Sequence, residues 1–184
     1  MNNLAFLYFR DGKHNESIKL FEECLERRRE VLGNDHPNTK TTINNLAIVY
    51  THVEKIKESY ELFKELLGSN HPTTLNSMNN LGTLYNKQTK YDESKEILKE
   101  CLRLRREVLG NNHFDTLETM NNLGLLCFQQ ELYEESEELL TECLILRREL
   151  LGDNHPNTIQ SMNSLVKLYS KQDRYEDVFS LCLR

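Results

Sequence analysis

Three short motifs return together along this chain, and their shared interval limits the fold more than any other feature. Asn-Asn-Leu stands at Asn2-Asn3-Leu4, Asn44-Asn45-Leu46, Asn79-Asn80-Leu81 and Asn121-Asn122-Leu123, with Asn163-Ser164-Leu165 as a fifth copy. The interval is 42 residues three times and 35 once. Leu-Gly keeps step at Leu32-Gly33, Leu67-Gly68, Leu109-Gly110 and Leu151-Gly152. So does the turn after it: His36-Pro37, His71-Pro72, His113-Phe114 and His155-Pro156. Self-similarity at a period of this size marks supersecondary units that bury their apolar faces by stacking.

The spacing inside one period predicts two helices, A and B. Around Leu81, residues Met78, Leu81, Gly82 and Tyr85 recur at steps of three and four, the interval of one helical face. After a short break at Gln88-Thr89-Lys90, a second stripe follows at Tyr91, Ser94, Ile97, Leu98, Cys101 and Leu102. The glycine closing helix B suits a left-handed backbone, and the proline after it suits the first turn of the next helix A. Arginines ahead of the glycine (Arg28, Arg29, Arg105, Arg106, Arg147, Arg148) suit a helix C-terminus and ion pairs with nearby glutamates. The second unit is seven residues shorter in helix B. Seven is about two helical turns, so the loss keeps the apolar stripe in phase. The predicted units run 1–36, 37–71, 72–113, 114–155 and 156–184 as one array, with the outer two incomplete.

The pattern resembles the tetratricopeptide repeat. The small position of helix A reads Ala5, Ala47, Gly82, Gly124 and Val166, with an aromatic three residues on at Tyr8, Tyr50, Tyr85 and Tyr169. The small position of helix B reads Ser17, Ser59, Ser94, Ser136 and Val178, followed by Phe21, Phe63, Leu98, Leu140 and Cys182. The long period and the Leu-Gly-x-Asp/Asn-His-Pro turn are similar to the kinesin-light-chain and nephrocystin subtype. Phe114 and Cys127 depart from it, and there is no heptad region for a heavy chain. The resemblance implies an all-α, right-handed α-solenoid of about four and a half helix-turn-helix units that binds another protein. It also implies that the A helices line the concave wall.

On that wall, helical angle places Asn44, Ile48 and Thr51 in unit two, and Asn76, Asn79, Thr83 and Asn86 in unit three. Unit four contributes Glu118, Asn121, Leu125 and Phe128, and unit five Gln160, Asn163, Lys167 and Ser170. Asn45, Asn80 and Asn122 fall at its rim. An amide side chain both donates and accepts, so an asparagine ladder could read the backbone of an extended peptide, with Ile48, Leu125 and Phe128 as apolar pockets. The same asparagines could instead bond neighbouring helices and hold the stack in register. A clamp for terminal carboxylates needs cations where Thr41, Asn76 and Glu118 stand.

Other functions find little support. The net charge of −6 disfavours nucleic acid, which calls for a clustered basic face. No apolar run approaches the length that spans a bilayer. The four turn histidines belong to different units, so turn and capping roles are expected and no metal. Cys24, Cys101 and Cys143 recur at one helix B position as small core residues, and single cysteines suit a reducing, cytoplasmic setting. No phosphate loop or nucleophile motif appears. The expectation is a scaffold or adaptor with no cofactor and no enzymatic activity, binding a protein or peptide and neither nucleic acid nor membrane. The alternative is a self-associating array in which uncapped ends stack head to tail.

Overall fold

A computed structural model describes the backbone of residues 1–182; the side chain of Cys182, assigned to the bulky position of helix B, lies outside the described residues. Among the described residues there are ten helices and no strand. The A helices are α1 (Asn2–Arg10), α3 (Pro37–His52), α5 (Pro72–Lys87), α7 (Phe114–Gln129) and α9 (Pro156–Lys171). The B helices are α2 (His14–Leu32), α4 (Ile56–Leu67), α6 (Tyr91–Leu109), α8 (Tyr133–Leu151) and α10 (Tyr175–Cys182). α4 has 12 residues where α2, α6 and α8 have 19, so the seven-residue deletion is a loss of helix. The fold is an α-solenoid of helix pairs. Contacts divide it into two compact units, Met1–Leu81 and Gly82–Arg184, with the division inside α5.

The first four helix pairs are closed in the same way, and the fifth has Val166 and Val178 at the two positions. The small serine of helix B donates its hydroxyl to the carbonyl of the small residue of helix A: Ser17 to Ala5 at 2.7 Å, Ser59 to Ala47 at 3.0 Å, Ser94 to Gly82 at 2.7 Å and Ser136 to Gly124 at 2.8 Å. All four serines are buried. Serine therefore stands where alanine is usual because the crossing is pinned by a hydrogen bond. The small residue and the bulky one below it are also matched. A Cβ built on Gly124 would lie 2.8 Å from Leu140 Cγ, so the branched leucine requires glycine there. Ala5 and Ala47 accompany Phe21 and Phe63 instead, all buried.

The turn from helix A to helix B needs a left-handed residue in every unit. The φ values are 76° at Gly12, 59° at Glu54, 60° at Thr89, 59° at Glu131 and 58° at Asp173. A side chain in that region costs about 1 kcal/mol against glycine. Glu131→Gly is accordingly expected to stabilise the protein by about that amount, seen as a Tm a few degrees higher in thermal unfolding. An unchanged or lower Tm would contradict this.

Apolar faces then stack. In the first unit Ile18, Phe21 and Leu25 of α2 join Ile43, Leu46, Val49 and Tyr50 of α3 in one buried cluster. In the second, Leu98 and Leu102 of α6 meet Leu117, Met120 and Leu123 of α7, and Leu140 and Leu144 of α8 meet Leu165 and Leu168 of α9.

The residues ahead of the closing glycines do two jobs, only one of which was expected. Arg29 and Arg106 form ion pairs with Glu65 and Glu142 on the next B helix, at 2.5 and 2.8 Å. Arg28, Arg105 and Arg147, one residue earlier, turn inward and bond the following A helix. Arg105 Nη1 donates to the Asp115 carbonyl at 2.5 Å and to Thr119 Oγ1 at 2.6 Å, and Arg147 Nη1 to the Asn157 carbonyl and Ser161 Oγ at 2.7 and 2.8 Å. Arg28 repeats this on Asn38 and Thr42. Dipole compensation was too weak a reading, because Arg105 and Arg147 are 1% and 2% exposed and their guanidinium groups fill the seam between units.

The histidines cap helices. Nδ1 of His36, His71, His113 and His155 accepts the backbone N–H two residues on, at 3.1 to 3.2 Å. This satisfies one of the orphan donors at each A-helix start. His155→Ala should therefore cost about 1 kcal/mol in chemical denaturation, with His155→Asn retaining most of it; equal losses would argue against capping.

Candidate functional site

The A helices present little charge. α3 carries one formally charged residue, Lys40, whereas α2 beside it carries nine. What the A helices offer outward is mainly amide, hydroxyl and apolar surface, with Glu118 half-buried on α7 and Lys167 exposed on α9.

In the first unit, Ile48 on α3 is 40% exposed, and Asn44 and Asn45 flank it half-buried. At the position of Ile48 on α1 stands Phe6, 46% exposed. Phe9 lies 6.3 Å from it, centroid to centroid, and its ring is also 5.4 Å from His14 and 5.1 Å from His52, the last edge-on. Phe6 and Phe9 were missed by the sequence reading, which applied the outward face to units two to five only. The repeat interval itself locates them, since Phe6 precedes Ile48 by 42 residues and Phe9 precedes Thr51 by the same number. On the stretch of α5 in this unit, Asn76 and Asn80 are exposed and Asn79 is buried at 4% exposure.

In the second unit, Thr83 and Asn86 on the rest of α5 are half-buried, as are Asn122, Leu125 and Phe128 on α7. The Phe128 ring packs 6.2 Å from Tyr133, the same pairing by position as Phe9 with His14. On α9, Gln160, Asn163, Lys167 and Ser170 are exposed. Asn121 is only 1% exposed, and its Oδ1 accepts from Ser161 Oγ on α9 at 3.4 Å. Asn79 and Asn121 thus point into the helix stack, and the surface positions beside them are Asn80 and Asn122. The burial of Asn121 follows from its seam with α9, where a polar group facing the next helix needs a partner.

Among the described residues, Cys24, Cys101, Cys127 and Cys143 sit in the core. Cys101, Cys127 and Cys143 are fully buried, and Cys143 Sγ lies 3.2 Å from the Leu117 carbonyl. Burial pushes all three thiols up, Cys127 to about 11. A thiol so protonated is a packing group, since reactivity requires the thiolate. No described helix is long and apolar enough to cross a membrane.

Comparison with known proteins agrees with this architecture. A family model described as tetratricopeptide repeat matches residues 1–59, 53–107, 83–144 and 115–181. Among solved structures, the nearly identical TPR-like repeats of a candidate kinesin light chain from Podosopora anserina superpose with a TM-score of 0.67 at 22% identity, over 98% of this chain and 89% of that one. BtubC (BKLC) from P. vanneervenii gives 0.71 at 19% identity, over 97% and 74%. MamA gives 0.63 at 12%, over 96% and 89%. No curated protein resembles the chain closely enough in sequence to count as a match. With helix pairs, latches and family matches recurring along almost its full length, the chain belongs to the tetratricopeptide repeat family.

Proposed function

We propose that this protein is a non-enzymatic interaction scaffold that holds an extended segment of a partner protein against its A-helix faces. The observation that carries this is the recurrence of solvent-open apolar side chains at one register position. Phe6 and Ile48 occupy it in the first unit and Leu125 in the second. They stand on helices where few charges compete for a ligand. The position is apolar in three of the five copies, with Thr83 and Lys167 in the other two, and an apolar side chain left partly exposed three times has no folding reason to recur. Asn44, Asn45, Asn76, Asn80, Asn122 and Asn163 stand beside them with amides suited to the donors and acceptors of a peptide backbone. Asn79 and Asn121 serve the register of the stack, so Asn121→Ala should lower stability before it lowers affinity.

The test is to select a bound segment from a peptide array and titrate it against Ile48→Ala and Leu125→Ala variants. Each substitution is expected to weaken binding about tenfold, the scale of an interface anchor, with the thermal midpoint nearly unchanged. An affinity unaffected by both, or a segment displaced only by substitutions on α6 or α8, would overturn the reading.

A further inference from the structure

We infer that the cleft between α2 and α4 is a docking seat for basic side chains of a second protein. The cleft lies on the B helices, apart from the A-helix faces, and its copy between α6 and α8 shows how such a seat is filled. Both clefts have leucines at the same register, Leu25, Leu46 and Leu62 in the first and Leu102, Leu123 and Leu139 in the second. An arginine bridges the walls of each, Arg29 to Glu65 at 2.5 Å and Arg106 to Glu142 at 2.8 Å.

The charges on the walls differ. In the second cleft a basic wall on α6 faces an acidic wall on α8, and Glu135 takes the ammonium groups of Lys95 and Lys99 at 2.6 and 2.7 Å. In the first cleft Ile18 and Glu22 stand at the positions of Lys95 and Lys99, and Glu26 at that of Arg103. The α4 wall keeps its carboxylates, with Glu58 and Glu61 at the positions of Glu135 and Glu138. Carboxylates therefore line both walls. Glu22 accepts a hydrogen bond from the Tyr50 hydroxyl, and burial together with the Glu22 and Glu58 carboxylates pushes the pKa of that hydroxyl well up. Glu58 and Glu61 border the same Tyr50 and Leu62 from the α4 side. The lysines nearby are placed elsewhere. Lys55 lies over the Tyr50 ring at 5.2 Å and Lys64 over the Tyr60 ring at 5.6 Å, while Lys57 lies 100° round the helix from Glu58.

Glu22 and Glu26 stand at the edge of a cavity of about 480 Å³ whose apolar lining is Leu25, Leu46 and Leu62. A lysine or arginine matches both parts, because its methylene stem covers leucine while its head meets carboxylates. In the second cleft the chain itself supplies these cations to Glu135. In the first it places carboxylates at the same positions, so the complementary charge comes from a basic segment of a partner. Carboxylates gathered along a cleft with an apolar floor also draw such a segment in.

The probe is a short peptide alternating lysine and alanine, titrated while the methyl resonances of Leu25, Leu46 and Leu62 are followed. A glutamate–alanine peptide serves as its opposite. Glu22→Lys and Glu26→Arg each restore a charge of the second cleft, and both residues are exposed, so the fold is kept, which circular dichroism checks. The lysine peptide should shift these methyls in the native protein and bind each variant about tenfold more weakly. Glu138→Lys makes the same change of charge on α8 and should leave the affinity as it was. The glutamate peptide should shift nothing. Methyls that stay in place overturn the inference, as does equal weakening by Glu138→Lys, which would reduce the effect to net charge. Calcium that shifts the same methyls and is not displaced by the peptide would make the cleft a metal seat and overturn it too. A native mass that rises above 21.7 kDa with concentration, and returns to it in Glu22→Lys, would make the occupant a second copy and overturn it likewise. Binding at Ile48 and Leu125 is read from separate resonances and is independent of each outcome.

Discussion

Replacing Arg105 by alanine is expected to destabilise the protein by about 3 kcal/mol, measured by urea unfolding. The side chain is 1% exposed and spans the seam between α6 and α7. Its loss leaves the Asp115 carbonyl and the Thr119 hydroxyl without the donor that reaches them at 2.5 and 2.6 Å, and opens a void where the methylenes packed. Glu118 stands 4.0 Å from Nη1 with its side chain 46% exposed, so it contributes little and a salt-bridge account would predict a smaller loss. Arg105→Lys should recover only part of the stability, because an ammonium on a flexible stem does not match a planar fork aimed at two acceptors. Arg147→Ala should behave alike. The short unit shows the seam without arginine: Phe63 holds the equivalent place five residues before Gly68, and Ser77, in the position of Thr119, turns its hydroxyl to the Thr73 carbonyl of its own helix. A loss below 1 kcal/mol for both arginine variants would mean that the seam is held by its leucines alone.

Gly110→Ala is the second large effect, at about 2 kcal/mol of lost stability. Gly110 has φ 88° and ψ 168°, a region that is essentially closed to any residue with a Cβ. Nothing lies within 4 Å of a Cβ placed there, so the cost is backbone strain and no crowding enters. The outcome should contrast in sign with Glu131→Gly, which removes a side chain from a positive-φ position where Gly110→Ala adds one. Thermal or chemical unfolding of Gly110→Ala with less than 0.5 kcal/mol lost, the scale of an ordinary surface change, would show that the turn relaxes to another geometry.

The helix pairs were legible in the sequence because periodicity and punctuation agree. Leu81 and Leu98 mark the faces, the closing glycines mark the stops, and the seven-residue deletion respects the helical turn. Capping by His36 and its equivalents was legible for the same reason, as a polar group before a helix start has one common use. The glycine positions were read correctly as positive φ but placed in the left-handed helical region, whereas ψ near 168° at Gly33, Gly110 and Gly152 is extended. Sequence marks the freedom of glycine and leaves ψ to the loop that follows.

The inward arginines were not legible. Arg105 and Arg106 are adjacent and alike, and only packing against Thr119 on one side and Glu142 on the other tells them apart. The candidate face was half legible. Helical angle gave Ile48 and Leu125 as outward, but Asn79 is buried, and Asn121 lies one step round, where the covering helix decides between ligand and seam. Asn121 meets Ser161 of α9, a contact 40 residues away that no local pattern encodes.

The division of labour between the two helix sets is tested most directly by methyl resonances in the presence of a selected peptide. Ile48 and Leu125 on the A helices, and Ile145 and Leu139 on α8, are exposed or half-buried apolar groups on opposite helix sets. Titration should shift the methyls of Ile48 or Leu125 and leave those of Ile145 and Leu139 in place. Shifts confined to Ile145 and Leu139 would place the partner on the B helices and contradict the assignment of the A-helix face.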